Sequence, residues 1–225
     1  MSSPLLPPAP RPRLRSFDIP GPAGKLEALV NEGAPDAPYA ALVCHPHPSG
    51  GGNLHNKVVY HAMKVLNAPE WGFQFPVLRF NFRGTGRSEG VHDGKLESEY
   101  VLAALRWLES EYNLPIVAAG FSFGAAMALK AVCGTKVRLI AALGLPTHAP
   151  GRSYHYLFLR SCPQPKLLLS GECDQYATPA ELNEVAAAAA EPRRLILIPG
   201  ADHFFHGHLH AMQNALAEWL KEQLL

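Results

Sequence analysis

Six short, nearly uninterrupted apolar runs recur along the chain and constrain its architecture more than any other feature: YAALVC (39–44), FPVLRFN (75–81), PIVAAGF (115–121), VRLIAALG (137–144), PKLLLSG (165–171) and RRLILIP (193–199). A strand with one face in water alternates apolar and polar side chains, so runs without alternation are strands covered on both faces. Segments of helical spacing separate them. Tyr100, Val101, Ala104, Leu105 and Leu108 recur at threes and fours, as do Leu209, Met212, Leu216, Trp219 and Leu220, and each set marks one apolar helix face. PAELNEVAAAAAE (179–191) begins after Thr178 as cap, with Pro179 at its first position, both helix start signals. Strands alternating with helices predict a parallel sheet between two helical layers. Ahead of them, RLRSFDIPG and GKLEALVNEG, joined at a Gly/Pro turn, predict two antiparallel edge strands. The expectation is one α/β domain with about eight strands over residues 13–225, preceded by a Pro-rich flexible tail at 1–12.

Composition narrows what such a domain does. With 225 residues, 48% of them hydrophobic, there is room for one sizeable core. Lys+Arg 20 against Asp+Glu 19 leaves a net charge of +1. That supplies no field to gather phosphate backbones or anionic lipid, which argues against a nucleic-acid or membrane-surface role. No run reaches the roughly 18 to 20 apolar residues of a membrane span. The start, MSSPLLPPAPRPRLRS, puts its basic residues after its apolar ones, the reverse of a secretory signal. Its prolines read as polyproline-like coil. Cys44, Cys133, Cys162 and Cys173 form no CxxC pair and are too few for a disulfide scaffold, so four reduced thiols in a cytoplasmic protein are expected. Oligomeric state stays open between monomer and homodimer.

The chemistry concentrates at Gly120-Phe121-Ser122-Phe123-Gly124, directly after one apolar run and before the helical AAMALKAV. This is G-x-S-x-G at a strand-to-helix turn, where glycines two before and two after a strained serine let neighbouring backbone approach. Ser122 is the expected nucleophile, and the Phe123 amide, at a helix N-terminus, the first oxyanion donor. A serine hydroxyl needs a base, and the base needs an orienting carboxylate. Glu172-Cys173-Asp174 follows one later strand and Asp202-His203 follows another, both at carboxyl ends, where open α/β sheets build sites. His203 is the expected base. Asp174 is preferred as its partner over Glu172, which sits less deep in the loop, and over Asp202, whose adjacency in sequence keeps it from the ring.

The second oxyanion donor is expected from His45-Pro46-His47-Pro48-Ser49-Gly50-Gly51-Gly52. Proline has no N–H, which leaves His47 first and Ser49 second. At least one of His45 and His47 is expected only to hold this loop. Cys173 reads as loop filler, and His206, His208 and His210 read as surface residues, lacking the ligand spacing of a zinc site. No metal and no cofactor are expected.

HPHPSGGGNLHNKVV, LRFNFRGTGRSEG and GFSFG resemble the bacterial α/β-hydrolase superfamily, in particular its small lidless serine esterases, relatives of dienelactone hydrolase. The resemblance covers nearly the whole folded chain. It implies the eight-stranded α/β-hydrolase fold, with helices on both faces and no large cap domain, and Ser122, Asp174 and His203 as the triad. Asn56-Lys57 matches the asparagine-lysine pair of such proteins and Arg83-Gly84 their arginine-glycine loop. The chain departs at Ser49 and Asn53-Leu54, where relatives carry a bulkier apolar residue and a Thr-Met pair. From its glycine-rich surroundings, Arg83 is expected to tie loops together through backbone carbonyls.

About twenty residues between Leu145 and Pro165 leave room for one short helix near Tyr154 to Arg160, and hence for a shallow pocket. Phe121, Tyr176 and Phe204, with Phe123 and Phe205, are candidates to line it. The expected activity is hydrolysis of carboxylic esters with small or short-chain acyl groups. Alternatives are an amidase or peptidase, a thioesterase, and a catalytically silent binding protein on the same fold. Dehalogenases and epoxide hydrolases carry aspartate where this chain has Ser122.

Overall fold

In the computed structural model, which describes residues 14–224, β1 (Leu14–Gly21) and β2 (Gly24–Asn31) form the expected antiparallel hairpin, with Leu14 opposite Asn31 and Gly21 opposite Gly24. The tail expected at 1–12 lies outside the described residues. β3 (Ala40–Cys44) leads to α1 (Lys57–Asn67), β4 (Val77–Phe80) to α2 (Glu97–Tyr112), and β5 (Ile116–Phe121) to α3 (Phe123–Val132). After β6 (Leu139–Leu143) comes a small hairpin, β7 (His148–Ala149) with β8 (Arg152–Ser153). β9 (Lys166–Gly171), α4 (Pro179–Ala188), β10 (Arg193–Ile198) and α5 (Leu209–Leu224) complete the chain.

The main sheet has eight strands in the order β1-β2-β4-β3-β5-β6-β9-β10. β2 pairs antiparallel with both β1 and β4, and every pairing from β4 to β10 is parallel. The apolar runs are continuous because successive side chains enter different cores. Ala40, Leu42 and Cys44 join the core under α2, α3 and α4, while Ala41 and Val43 join the core under α1 and α5. The same split runs through β6, with Ile140 and Ala142 on one side and Leu139, Ala141 and Leu143 on the other. Side chains of period two, buried on both faces, turn a helix-free run of five residues into a central strand.

Local signals set the helix starts. The Asn56 side chain accepts from the N–H groups of Val58 and Val59 to cap α1. Thr178 and Glu181 form a reciprocal capping box at α4, which satisfies donors that the first turn leaves unpaired. No helix among the described residues is long and apolar enough to cross a membrane.

The one short helix expected near Tyr154 to Arg160 is a 3-10 helix at Leu157–Ser161, and the β7–β8 hairpin precedes it. Pro150-Gly151 makes the hairpin turn, and only Leu159 of the 3-10 turn is buried, so no apolar stripe exists to stabilise a longer helix. The four thiols are not all reduced. Cys133, which ends α3, is joined to Cys162 in a disulfide, and Cys44 and Cys173 are free. The pair is 29 residues apart and meets only through tertiary packing, which a spacing pattern does not encode.

Candidate active site

Ser122 stands between β5 and α3 with φ 56° and ψ −122°, a conformation that costs energy for any residue with a side chain and persists only where its surroundings impose it. Here its N–H donates to the Leu143 carbonyl of β6 at 2.8 Å, and its own carbonyl accepts from Ala126 N–H at 3.1 Å. A Cβ on Gly120 would collide with the Gly124 backbone, and one on Gly124 with the Cys44 and His45 carbonyls. Both glycines are therefore needed for the tight seat of the turn against the end of β3.

His203 lies in the loop after β10. Its Nε2 is 2.9 Å from Ser122 Oγ, and its Nδ1 is 2.8 Å from Asp174 Oδ2. Asp174 follows β9 and is held from two more directions, by the Ser170 hydroxyl on Oδ2 and the Tyr176 N–H on Oδ1, each at 2.8 Å. His203 and Asp174 are both buried. A carboxylate on Nδ1 keeps the ring proton there and leaves a lone pair on Nε2 facing the hydroxyl. The two other acids considered for this place are engaged elsewhere. Asp202 contacts the His206 ring at 2.7 Å and accepts from Phe204 and His206 N–H groups, and Glu172 accepts from Gly200 N–H.

On the opposite side of Ser122, the loop after β3 is fixed by its histidines. His45 Nδ1 lies 2.7 Å from the Pro46 carbonyl, and its Nε2 accepts from Phe82 N–H at 2.9 Å, so its ring joins two strand ends. Burial holds this imidazole neutral, pulling its pKa down to about 3. The Ser49 N–H donates to His47 Nδ1 at 3.2 Å, which removes Ser49 as a free donor. The His47 and Phe123 N–H groups have no acceptor among the described residues. The His47 ring packs edge-on against Phe123 at 4.8 Å and His92 at 4.7 Å. Partial burial, with the charge of Arg152 nearby, lowers the His47 pKa to about 4. His92 in turn reaches Glu97, the first residue of α2, which is fully buried.

Arg83 is corrected in its partners. It ties the loop after β4 to the start of α2 through carboxylates, forming ion pairs with Asp93 and, at 3.1 Å, with Glu97. Charged oxygens outcompete carbonyls for a guanidinium withdrawn from water.

A cavity of about 540 Å³ opens above Ser122 and His203. Tyr176 and Phe204 line it, along with His47, Tyr154 and Arg152. Phe121 does not. It is fully buried, with its ring against His203 at 5.0 Å and Phe204 at 5.9 Å, because a residue at the end of a central strand faces the core. Phe123 and Phe205 are buried as well. Among the described residues no group of three or more His, Cys, Asp or Glu side chains is arranged to hold a metal ion. Sequence reasoning missed Ser170, the His92–Glu97 pair and Arg152. Ser170 at the strand end was the readable one, since it lies four residues before the acid it touches. His92 sits in a loop, and Glu97 and Arg152 open a helix and a two-residue strand at positions that no periodicity marks.

Residues 40–222 match the family model described as an alpha/beta hydrolase domain. An uncharacterized protein of Rickettsia prowazekii is 35% identical over 213 residues, 89% of this chain and 86% of its own. The crystal structure of a serine hydrolase without lid from Xanthomonas campestris superposes with a TM-score of 0.80 at 28% identity, over 98% of this chain and 97% of that one. An α-β serine hydrolase homologue from Coxiella burnetii gives 0.82 at 32% identity, over 92% and 97%. Likeness of this extent in both sequence and fold makes the chain a member of the α/β hydrolase domain family.

Proposed function

We propose that the chain is a serine hydrolase of the carboxylesterase type, cleaving esters with small or short-chain acyl groups. The observation that supports this reading is the line from Ser122 Oγ to His203 Nε2 at 2.9 Å and from His203 Nδ1 to Asp174 Oδ2 at 2.8 Å. His203 takes the Ser122 proton as Oγ attacks the ester carbonyl. The N–H groups of Phe123 and His47 hold the oxyanion, aided by the positive end of α3. As the C–O bond breaks, His203 gives its proton to the departing alcohol. Water then gives a proton to His203 and its oxygen to the acyl carbon, and Ser122 recovers its hydrogen as the acid leaves. Asp174 keeps the imidazole oriented and balances its charge when protonated. These steps use no cofactor. A cavity of about 540 Å³, walled by a short hairpin where other members of the fold carry a cap, favours small acyl groups.

Hydrolysis of p-nitrophenyl esters of increasing acyl length, by wild type and Ser122→Ala side by side, tests the reading. Wild type should cleave the short esters, and the variant should lose about 10³-fold or more in kcat. Equal rates from the two folded proteins would overturn it.

A further inference from the structure

Arg152 opens β8 and lines the cavity that contains Ser122 and His203. Its guanidinium lies 5.3 Å from the centroid of the Phe123 ring, next to the proposed nucleophile, and 6.0 Å from that of Tyr154. It is packed so closely on Gly94 that a Cβ there would collide with Nη2. The arginines of the neighbouring loops have acids: Arg83 pairs with Asp93 and Glu97, and Arg87 with Glu27. Among the described residues Arg152 has no carboxylate oxygen within the 4.0 Å of an ion pair, and its buried Nη1 has no hydrogen-bond partner. A guanidinium stripped of water on one side and given no counter-charge is under-solvated, and this strengthens its pull on an anion at its open side.

The rest of the cavity does not supply that anion. Its walls carry no Asp or Glu. Asp174 lies behind His203 and is held by that ring, the Ser170 hydroxyl and the Tyr176 amide. The two nearby histidines do not compete for an anion, because burial keeps His47 and His92 neutral and the Arg152 charge pushes both the same way. Arg152 also lines an adjoining cavity, where the one acid, Asp93, is paired with Arg83. The wall between the two cavities therefore holds one guanidinium without a carboxylate of its own, and a planar fork suits a carboxylate better than a point charge would.

Resting on the serine-hydrolase reading, we propose that Arg152 is an anion subsite and that the preferred substrates are small esters bearing a free carboxylate elsewhere in the same molecule. Hydrolysis of such an ester breaks the same acyl C–O bond and releases a dicarboxylate with an alcohol, or an acid with a hydroxy acid.

The test compares each charged ester with a neutral counterpart. Monoethyl glutarate against ethyl pentanoate places the carboxylate on the acyl half, and acetoxyacetate against propyl acetate places it on the alcohol half. Proton release gives kcat/KM for wild type, Arg152→Gln and Arg152→Lys. Wild type should favour the charged ester in at least one pair. The charged-to-neutral ratio in that pair should fall about tenfold or more in Arg152→Gln, mainly through KM, with partial recovery in Arg152→Lys. Glutarate should also inhibit wild type more strongly than Arg152→Gln. Circular dichroism establishes that each variant is folded, since a misfolded one lowers both esters together. In folded variants an unchanged ratio, or no preference in wild type while the neutral esters are cleaved, overturns the subsite. If wild type cleaves none of the four while it cleaves a p-nitrophenyl ester, the subsite is overturned and the hydrolase reading stands; if it cleaves neither, the hydrolase reading itself fails and the subsite falls with it.

Discussion

The Nε2 atoms of His47 and His92 face each other at 3.3 Å, and with both rings neutral only one arrangement of protons lets them share a hydrogen bond. Ser49 N–H occupies His47 Nδ1, so the His47 proton is on Nε2 and points at His92. The His92 proton is then on Nδ1, which lies 2.8 Å from the buried Glu97 carboxylate, a charge contact without the alignment of a hydrogen bond. Burial pushes the Glu97 carboxyl up, but Arg83 and the neighbouring donors outweigh it and hold the pKa below the usual carboxylate range. The chain of contacts runs from α2 to the loop that carries the free His47 amide.

His92→Phe keeps a ring in place but removes the acceptor for His47. With that amide free to drift, kcat for ester hydrolysis should fall about tenfold to a hundredfold, since a misplacement of about 1 Å costs on that order. Steady-state kinetics on a short ester decide the matter. A change confined to KM would show that His92 serves binding and not the placement of the oxyanion donor.

Burial lowers the pKa values of His45, His47 and His92, and the sign of the consequence follows. These rings stay neutral in the folded chain where a free imidazole, near ~6.5, takes a proton. Below that pH the unfolded chain binds more protons, so stability is full above about 6.5 and declines as pH falls toward about 4. Urea unfolding at a series of pH values should show this rise and plateau. His45→Asn should remove close to one proton from the slope in that window, about 1.4 kcal/mol per pH unit. Parallel slopes for variant and wild type would mean that His45 titrates normally in the fold.

The identity of the acid is open to direct trial. Asp174→Asn leaves a side chain of the same shape but takes the charge from His203 Nδ1, and kcat should drop on the order of 10³- to 10⁴-fold. Asp202→Asn changes a partly exposed group that contacts His206 and should stay within about threefold of wild type. The opposite ranking would transfer the role to Asp202.

Much of this arrangement was legible in the sequence because it is local or periodic. Runs such as AALVC and LIAAL name central strands through their lack of alternation, and G-x-S-x-G names a strained turn because a serine between two glycines there has little other use. The order of Ser122, Asp174 and His203 follows from strand ends alone. What stayed hidden depends on contacts between segments distant in sequence. Arg83 met acids in place of carbonyls because Asp93 and Glu97 fold back over it. Phe121 proved to be core because the last residue of a buried strand still points inward. Arg152 lies in a stretch with neither periodicity nor motif, and only the packed structure sets it beside Phe123.

The Cys133–Cys162 disulfide ties the end of α3 to the segment that walls the cavity. Cys133 caps the helix that starts at the Ser122 turn, and Cys162 closes the 3-10 turn that follows the β7–β8 hairpin. A link across 29 residues restricts the unfolded chain by about 3 to 4 kcal/mol in the loop-closure account. Cys162→Ser, or a reductant on wild type, should lower unfolding stability by up to that amount. Cys133→Ser should match it, and the double variant should add nothing further, because both single changes remove the same bond. Peptide mapping without reduction should recover the two cysteines on one linked fragment. Stability indifferent to reductant, with both thiols free to alkylate in the native protein, would show that the pair stays reduced and that α3 is held by packing alone.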